Sequence, residues 1–82
     1  MEYKIYVGTA IGIKQGFLKG TFKIMYCGMA NEKTFVVAPY VTQGYQGFSP
    51  NIYFNVNSTA IQILDTEFDV IEVNDQYIIL GD

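Results

Sequence analysis

Residues 51–57, Asn-Ile-Tyr-Phe-Asn-Val-Asn, alternate along the chain between apolar residues and polar or phenolic ones. Successive side chains of an extended chain point to opposite faces, so a period of two is typical of a β-strand with one buried face. The buried face is expected to carry Ile52, Phe54 and Val56. This heptapeptide is the clearest structural signal in the chain, and it predicts a β protein.

The same alternation recurs elsewhere. It predicts strands over residues 2–7, 22–27 and 33–38, and shorter ones over 60–64, 68–73 and 76–80. The apolar phase slips between Val70 and Ile71, which predicts a bulge or a strong local twist. Asn74-Asp75 fits a two-residue hairpin turn. Isoleucine, valine and threonine supply 23 of the 82 residues and aromatic residues another 13, and both groups favour strands.

These strands predict a single all-β, mainly antiparallel domain that spans residues 1–82. With about six or seven short strands, closure into a small SH3-like or OB-like barrel would remove exposed sheet edges. One short helical turn fits near residues 45–48 or 57–61, where Ser58 could cap the second of these.

The composition excludes most catalytic chemistry. The chain has no histidine and one cysteine, Cys27, so it cannot build a Ser-His-Asp triad, a Cys-His pair, a histidine-ligated metal site or an internal disulfide. We therefore expect no enzyme activity, no cofactor and no metal. Cys27 itself is expected to be a small buried hydrophobe. A net charge of −3 with five basic residues argues against nucleic acid as a partner.

The sequence also carries information on location and source. It shows no convincing signal peptide and no long apolar run that could span a membrane, and a lone thiol fits a reducing compartment. We expect a cytoplasmic protein. Isoleucine, tyrosine, phenylalanine, asparagine and lysine are plentiful while arginine is absent, a set that AT-rich codons favour, as in a low-GC bacterium or its phage.

Charge is segregated along the chain. Residues 1–33 hold all five lysines against Glu2 and Glu32, residues 34–64 hold no charged side chain, and residues 65–82 hold six carboxylates and no base. The net charges of the three segments are +3, 0 and −6. The favoured interpretation is that basic and acidic strands pair across the sheet. The alternative is a dipolar molecule that assembles head to tail, or an acidic face that meets a basic partner.

The neutral segment 39–53 is the candidate partner surface. Two prolines and two glycines place most of it in a loop. Tyrosine offers a wide contact area and a hydrogen bond at low entropy cost. Four aromatic residues are therefore predicted to contact a protein partner: Tyr40, Tyr45, Phe48 and Tyr53. The alternative is that these rings fold back and cap one end of the barrel.

A second candidate is the glycine-rich segment 8–21, with glycines at positions 8, 12, 16 and 20. Glycine lets backbone N–H groups approach an anion closely, and Lys14, Lys19 and Thr21 could bind phosphate. The segment lacks the spacing of a Walker loop. The favoured interpretation is a long mobile or hairpin connection whose glycines relieve backbone strain.

The third candidate is the acidic run Asp65, Glu67 and Asp69, whose alternate positions share one face of a strand. Three carboxylates could hold Ca²⁺ or Mg²⁺, or act as a paired acid and base. A solvated sheet face is the favoured interpretation, because no EF-hand spacing accompanies the run.

Taken together, these features predict a non-enzymatic binding protein whose apolar and aromatic surplus is buried in a homo-oligomer, in a target protein, or in both. The leading hypothesis is a small inhibitor of phage or mobile-element type that binds a host defence protein through an uncharged aromatic surface. The alternative is a homo-oligomer that sequesters an anionic small molecule, such as a nucleotide-type signal. A structural component of a larger assembly fits the same composition.

Overall fold

The computed structural model describes residues 1–16, 20–41, 51–64 and 66–82. These residues form an all-β fold with antiparallel sheets and no helix, so the predicted fold class is confirmed. The structure also contains, within the described residues, no helix that could cross a membrane. The strands are β1 (Glu2–Tyr6), β2 (Ala10–Gly16), β3 (Gly20–Asn31), β4 (Thr34–Val41), β5 (Ile52–Asn55), β6 (Ala60–Ile63), β7 (Thr66–Val73) and β8 (Tyr77–Gly81).

The strands form two four-stranded sheets. We call the sheet with the order β2-β3-β4-β5 the central sheet, because consecutive strands from the middle of the chain build it. The other sheet, with the order β1-β8-β7-β6, is called the terminal sheet, because it pairs the first strand with the last. In that pairing Tyr3 lies opposite Leu80 and Ile5 opposite Ile78.

The structure differs from the predicted barrel in strand number and closure. The described residues form eight strands rather than six or seven, since part of the glycine-rich segment forms β2 and the start of β3. The described strands form two separate sheets that are not closed into an SH3-like or OB-like barrel. Between β1 and the central sheet the ladder is reduced to one isolated bridge, Val7 to Tyr26.

One hydrophobic core lies between the two sheets. Alternate residues of the strands point inward, as the period-two patterns predict. The terminal sheet contributes Ile5, Ile61, Ile63, Phe68, Ile78 and Leu80, and the central sheet contributes Ile13, Phe22, Ile24, Tyr26, Phe35 and Val37. Ile52, Phe54 and Val56, the apolar side of the heptapeptide, pack against this core.

Tyr26 connects the two sheets at the bridge. Its carbonyl oxygen accepts a 2.8 Å hydrogen bond from the Gly8 N–H, and its hydroxyl donates to the carbonyl oxygen of Asn74, at the β7–β8 turn. Its ring is completely buried. This residue therefore joins the middle of β3 to the segment that follows β1 and to the β7–β8 turn.

The C-terminal hairpin of β7 and β8 contains the predicted bulge and a turn that differs from the predicted one. The bulge is confirmed, because the β7–β8 register shifts between Val70 and Glu72. The hairpin turn lies one residue later than predicted, at positions 75 and 76. The reason is that the Asn74 side-chain oxygen accepts the N–H groups of Gln76 and Tyr77, both at 2.9 Å.

The helical turn predicted over residues 57–61 is wrong. The Asn55 side-chain oxygen accepts the N–H of Asn57 at 2.7 Å, and the Asn55 carbonyl oxygen accepts the N–H of Ser58 at 3.0 Å. These bonds close a tight turn, and β6 begins at Ala60. Asparagine competes with helix formation by bonding to nearby backbone groups in this way. The other proposed turn, residues 45–48, lies outside the described residues.

Candidate binding surfaces

The outer face of the central sheet carries few charges. Phe35 and Val37 point into the core, so Val36 and Ala38 lie on the opposite, outer face. Register places Tyr53 beside Val36, Met25 beside Ala38, and Ala10 beside Met25. Among the described side chains of this face, the only charge belongs to Lys23, which is exposed.

Tyr53 is the most prominent residue of that face. Its side chain is 60% exposed, whereas Val36 beside it is only 6% exposed although it also lies on the outer face. The contrast shows that Val36 is shielded by its neighbours while the tyrosine ring projects into solvent. Tyr53 thus has the exposure that was predicted for a partner-binding residue, and its strand, β5, is an edge of the sheet.

The other predicted partner-binding residues are placed less completely. Tyr40 lies near the end of β4 as the register partner of Lys23. Tyr45 and Phe48 lie outside the described residues. The structure therefore positions the backbone of Tyr40 and the ring of Tyr53 on one sheet, and the four-residue surface stays a prediction.

Cys27 is not buried, contrary to the expectation. The β3–β4 register shifts between Tyr26 and Gly28, so Cys27 is the extra residue of a bulge, and it is exposed. Partial burial nevertheless raises the pKa of its thiol above the usual 9.0. A raised pKa keeps the sulfur protonated near neutral pH, which makes it a poor nucleophile.

The glycine-rich segment was expected to be a long mobile or hairpin connection, whereas its residues Ala10–Gly16 form strand β2. Strands β2 and β3 pair from Ala10 opposite Met25 to Gly16 opposite Gly20. Lys14 and Thr21, two of the three predicted anion-binding residues, are direct register partners. Lys19 lies outside the described residues.

The charge segregation of the sequence becomes a segregation between sheets. Residues 8–59, which include the central sheet, hold four lysines against Glu32, a net of +3. Residues 1–7 and 60–82, which include the terminal sheet, hold Lys4 against seven carboxylates, a net of −6. The expected pairing of basic-segment strands with acidic-segment strands therefore occurs only at β1, which carries Lys4 and pairs with β8; the described strands β2 and β3 lie in the other sheet.

The acidic run forms an exposed face of β7. Glu67 and Asp69 are exposed, and their register partners on β6, Gln62 and Ala60, carry no charge. Asp65 lies outside the described residues. In the part of the chain that the structure describes, no group of three or more potential ligand residues is placed to hold a metal ion.

A second exposed cluster lies on the terminal sheet, and the sequence patterns did not predict it. The Lys4 ammonium lies 4.2 Å from the ring centre of Tyr77 and 5.2 Å from that of Tyr6. The Tyr77 hydroxyl donates a 2.6 Å hydrogen bond to Glu72. The Tyr6 and Tyr77 rings meet edge to face, with centroids 5.8 Å apart. Only the pairing of β1 with β8 reveals this cluster, and these strands are far apart in sequence.

Comparisons with known proteins add no assignment. No protein-family model matches the chain, and neither a curated protein nor a solved structure matches it. The functional proposal therefore rests on the geometry of the two sheets.

Proposed function

We propose that the protein is a non-enzymatic binding protein whose partner surface is the outer face of the central sheet, centred on Tyr53. The observation that carries this proposal is the exposure of the Tyr53 ring beside Val36, on a face whose described side chains bear one charge. A weakly charged sheet face loses little hydration free energy when a partner covers it, because few ions are desolvated.

Tyrosine suits the centre of such a surface. Its ring supplies apolar area with two rotatable bonds, and its hydroxyl can still form a hydrogen bond across the interface. Met25, in the neighbouring part of the face, adapts its shape to different partners. An inhibitor of phage or mobile-element type that captures a host defence protein in the cytoplasm is the role that this small, weakly charged chain fits best.

The test compares two exposed tyrosines on different sheets. Tyr53 is 60% exposed on the central sheet and Tyr6 is 52% exposed on the terminal sheet. We expect Tyr53→Ala to weaken capture of a host protein from a bacterial lysate at least tenfold, or about 1.4 kcal/mol, since truncation of a central aromatic residue typically costs this much. Tyr6→Ala is the matched control and should leave capture unchanged.

Folding and self-association are measured in the same samples. Both variants should keep the circular dichroism spectrum of the parent protein, because both side chains are exposed. Light scattering separates a partner-binding monomer from a homo-oligomer or a component of a larger assembly that buries the same face. Equal capture by the parent protein and Tyr53→Ala would exclude this face as the partner surface.

A second candidate function is binding of a nucleotide-type anion. It is favoured by the register pairing of Lys14 with Thr21, which brings a basic and a hydroxyl residue directly opposite each other. A ligand present at 100 times its Kd raises the free energy of unfolding by about 2.7 kcal/mol. A nucleotide panel should then raise the melting temperature of the parent protein and of Lys33→Ala, and not that of Lys14→Ala. No stabilisation by any nucleotide would exclude this candidate.

A further inference from the structure

Among the strands that the structure describes, four lie at sheet edges, and natural proteins usually protect such edges with charges, prolines or bulges. Strand β1 carries the exposed charges of Glu2 and Lys4. Strand β2 has an irregularity between Lys14 and Gly16. Strand β5 is likewise uncharged and regular, but the Asn55 carbonyl at its end is already used in the turn to Ser58, and its edge belongs to the face around Tyr53. Strand β6, Ala-Ile-Gln-Ile, has no charge, no proline and no bulge.

The backbone of β6 offers free hydrogen-bonding groups on one side. The Val70 N–H donates to the Thr59 carbonyl at 2.9 Å, which fixes positions 59 and 70 as a hydrogen-bonded pair. Such pairs alternate along an antiparallel ladder, so Ile61 and Ile63 bond to β7 while Ala60 and Gln62 direct their N–H and C=O groups away from it. No described residue pairs with these outward groups.

The chemistry around the edge specifies what can bind there. The inward residues Ile61 and Ile63 are buried in the core, so alternate residues of an added strand should be apolar. On the outer face, the exposed carboxylates of Asp69 and Glu67 stand beside Ala60 and Gln62. The Ala60 side chain is short, so a lysine or arginine on the added strand could reach across it to Asp69.

The same charges argue against a second copy of this chain. In antiparallel pairing of β6 with its own copy, the two acidic rows, each with Glu67 and Asp69, would lie three strand spacings or about 14 Å apart, and β6 and β7 of the copy would bring further carboxylates and no base to neutralise them. We therefore propose that β6 binds an extended segment of a different protein, in which apolar residues alternate with lysine or arginine, as a fifth strand of the terminal sheet. This inference does not rest on the face around Tyr53.

The test is a selection of displayed random ten-residue peptides on the intact protein. The expected peptides alternate between apolar and basic residues. A synthetic, fluorescein-labelled representative should bind in an anisotropy titration, and binding should weaken at least tenfold when alternate backbone amides are N-methylated, because the added strand then loses donors. It should also weaken at least tenfold for Asp69→Lys, since the charge attraction becomes repulsion.

Gln62→Pro tests the edge itself. Proline removes the outward N–H of residue 62, which β7 does not use, so the fold should be retained. If Gln62→Pro changes the circular dichroism spectrum, Ala60→Pro replaces it as the test variant. Both should bind the peptide at least tenfold more weakly, and Tyr53→Ala should bind it normally. The inference is overturned if no alternating peptide is selected, if the N-methylated peptide binds equally, or if loss of binding follows Tyr53→Ala.

Discussion

At the scale of single residues, Tyr26 is a buried aromatic residue whose hydroxyl also forms a hydrogen bond. Its side chain is fully buried, and its hydroxyl donates to the Asn74 carbonyl across the sheets. Burial, and then the nearby charge of Asp75, raises the pKa of Tyr26 above the ordinary 10.0. The folded state therefore holds this proton at pH values at which an unfolded tyrosine has lost it.

This shift predicts a loss of stability in alkali. A folded-state pKa above the unfolded value contributes stability that is present below pH 10 and is lost as the pH rises through the folded pKa. Tyr26→Phe should lower the free energy of unfolding by about 1 kcal/mol at pH 7, through the lost hydrogen bond, and should flatten the alkaline decline. Urea titrations at several pH values measure both effects. Tyr53→Phe is the exposed control, and an unchanged alkaline slope in Tyr26→Phe would contradict the assignment.

At the scale of elements, the bulge in β3 depends on a glycine that adopts a left-handed backbone. Gly28 has a φ of +92°, and a Cβ atom added there would lie 3.1 Å from a methyl carbon of Val7. Gly8 has a φ of +81°, but a Cβ atom there would contact nothing within 4 Å. Both glycines adopt a positive φ that other residues rarely adopt. Only at Gly28 would an added Cβ atom also crowd a neighbouring side chain.

This pair separates the cost of backbone strain from the cost of crowding. Gly8→Ala should lower the free energy of unfolding by about 1 kcal/mol, the cost of a left-handed alanine. Gly28→Ala should cost about 1 kcal/mol more, because the tight contact with Val7 is added. Val7→Ala in the Gly28→Ala background should recover that second part. Chemical denaturation measures all three, and equal losses in the two single variants would show that the Val7 contact is harmless.

Period-two patterns predicted the elements well where side chains alternate, as in β5 and β6, and they located the bulge at Val70. They failed for β2 because its glycines were taken as a loop signal, although Ile11 and Ile13, which face the core, alternate with Gly12 and Lys14. The division into two sheets depends on pairing β1 with β8, which no local pattern specifies. At the candidate site, the exposure of Tyr53 could be predicted from the sequence. Its neighbours in space, such as Val36, depend on the strand register, which the sequence pattern does not specify.

At the scale of the whole molecule, the two sheets differ in net charge, since residues 8–59 carry +3 and residues 1–7 and 60–82 carry −6. The carboxylates of Glu67, Asp69 and Glu72 have uncharged register partners. The one ion pair between described residues joins the Met1 ammonium to Asp82 at 3.3 Å, on the surface. The terminal sheet therefore experiences net repulsion among its own carboxylates.

Salt should consequently stabilise the protein. Raising NaCl from 10 mM to 0.5 M shortens the screening length from about 30 Å to about 4 Å. We expect the free energy of unfolding to rise by roughly 0.5 kcal/mol, the order of a few surface charge interactions. Glu67→Gln should reduce this dependence, whereas Glu32→Gln, which removes a carboxylate from the lysine-bearing segment, should not. A free energy of unfolding that falls with NaCl, followed by urea denaturation, would contradict net repulsion.

Because hydrogen bonds at Tyr26 hold the two sheets together on one side, we expect the sheets to separate from the opposite side. Backbone and side-chain hydrogen bonds join the sheets where β1 meets β3, whereas β5 and β6 are joined by the short turn that links them in the chain. Thermal fluctuations should therefore separate the sheets first on the β5–β6 side, with Tyr26 acting as the hinge. Amide protons of Gly8 and Tyr26 should then exchange with solvent much more slowly than those of Ile61 and Ile63, which are hydrogen-bonded to β7 on the opening side.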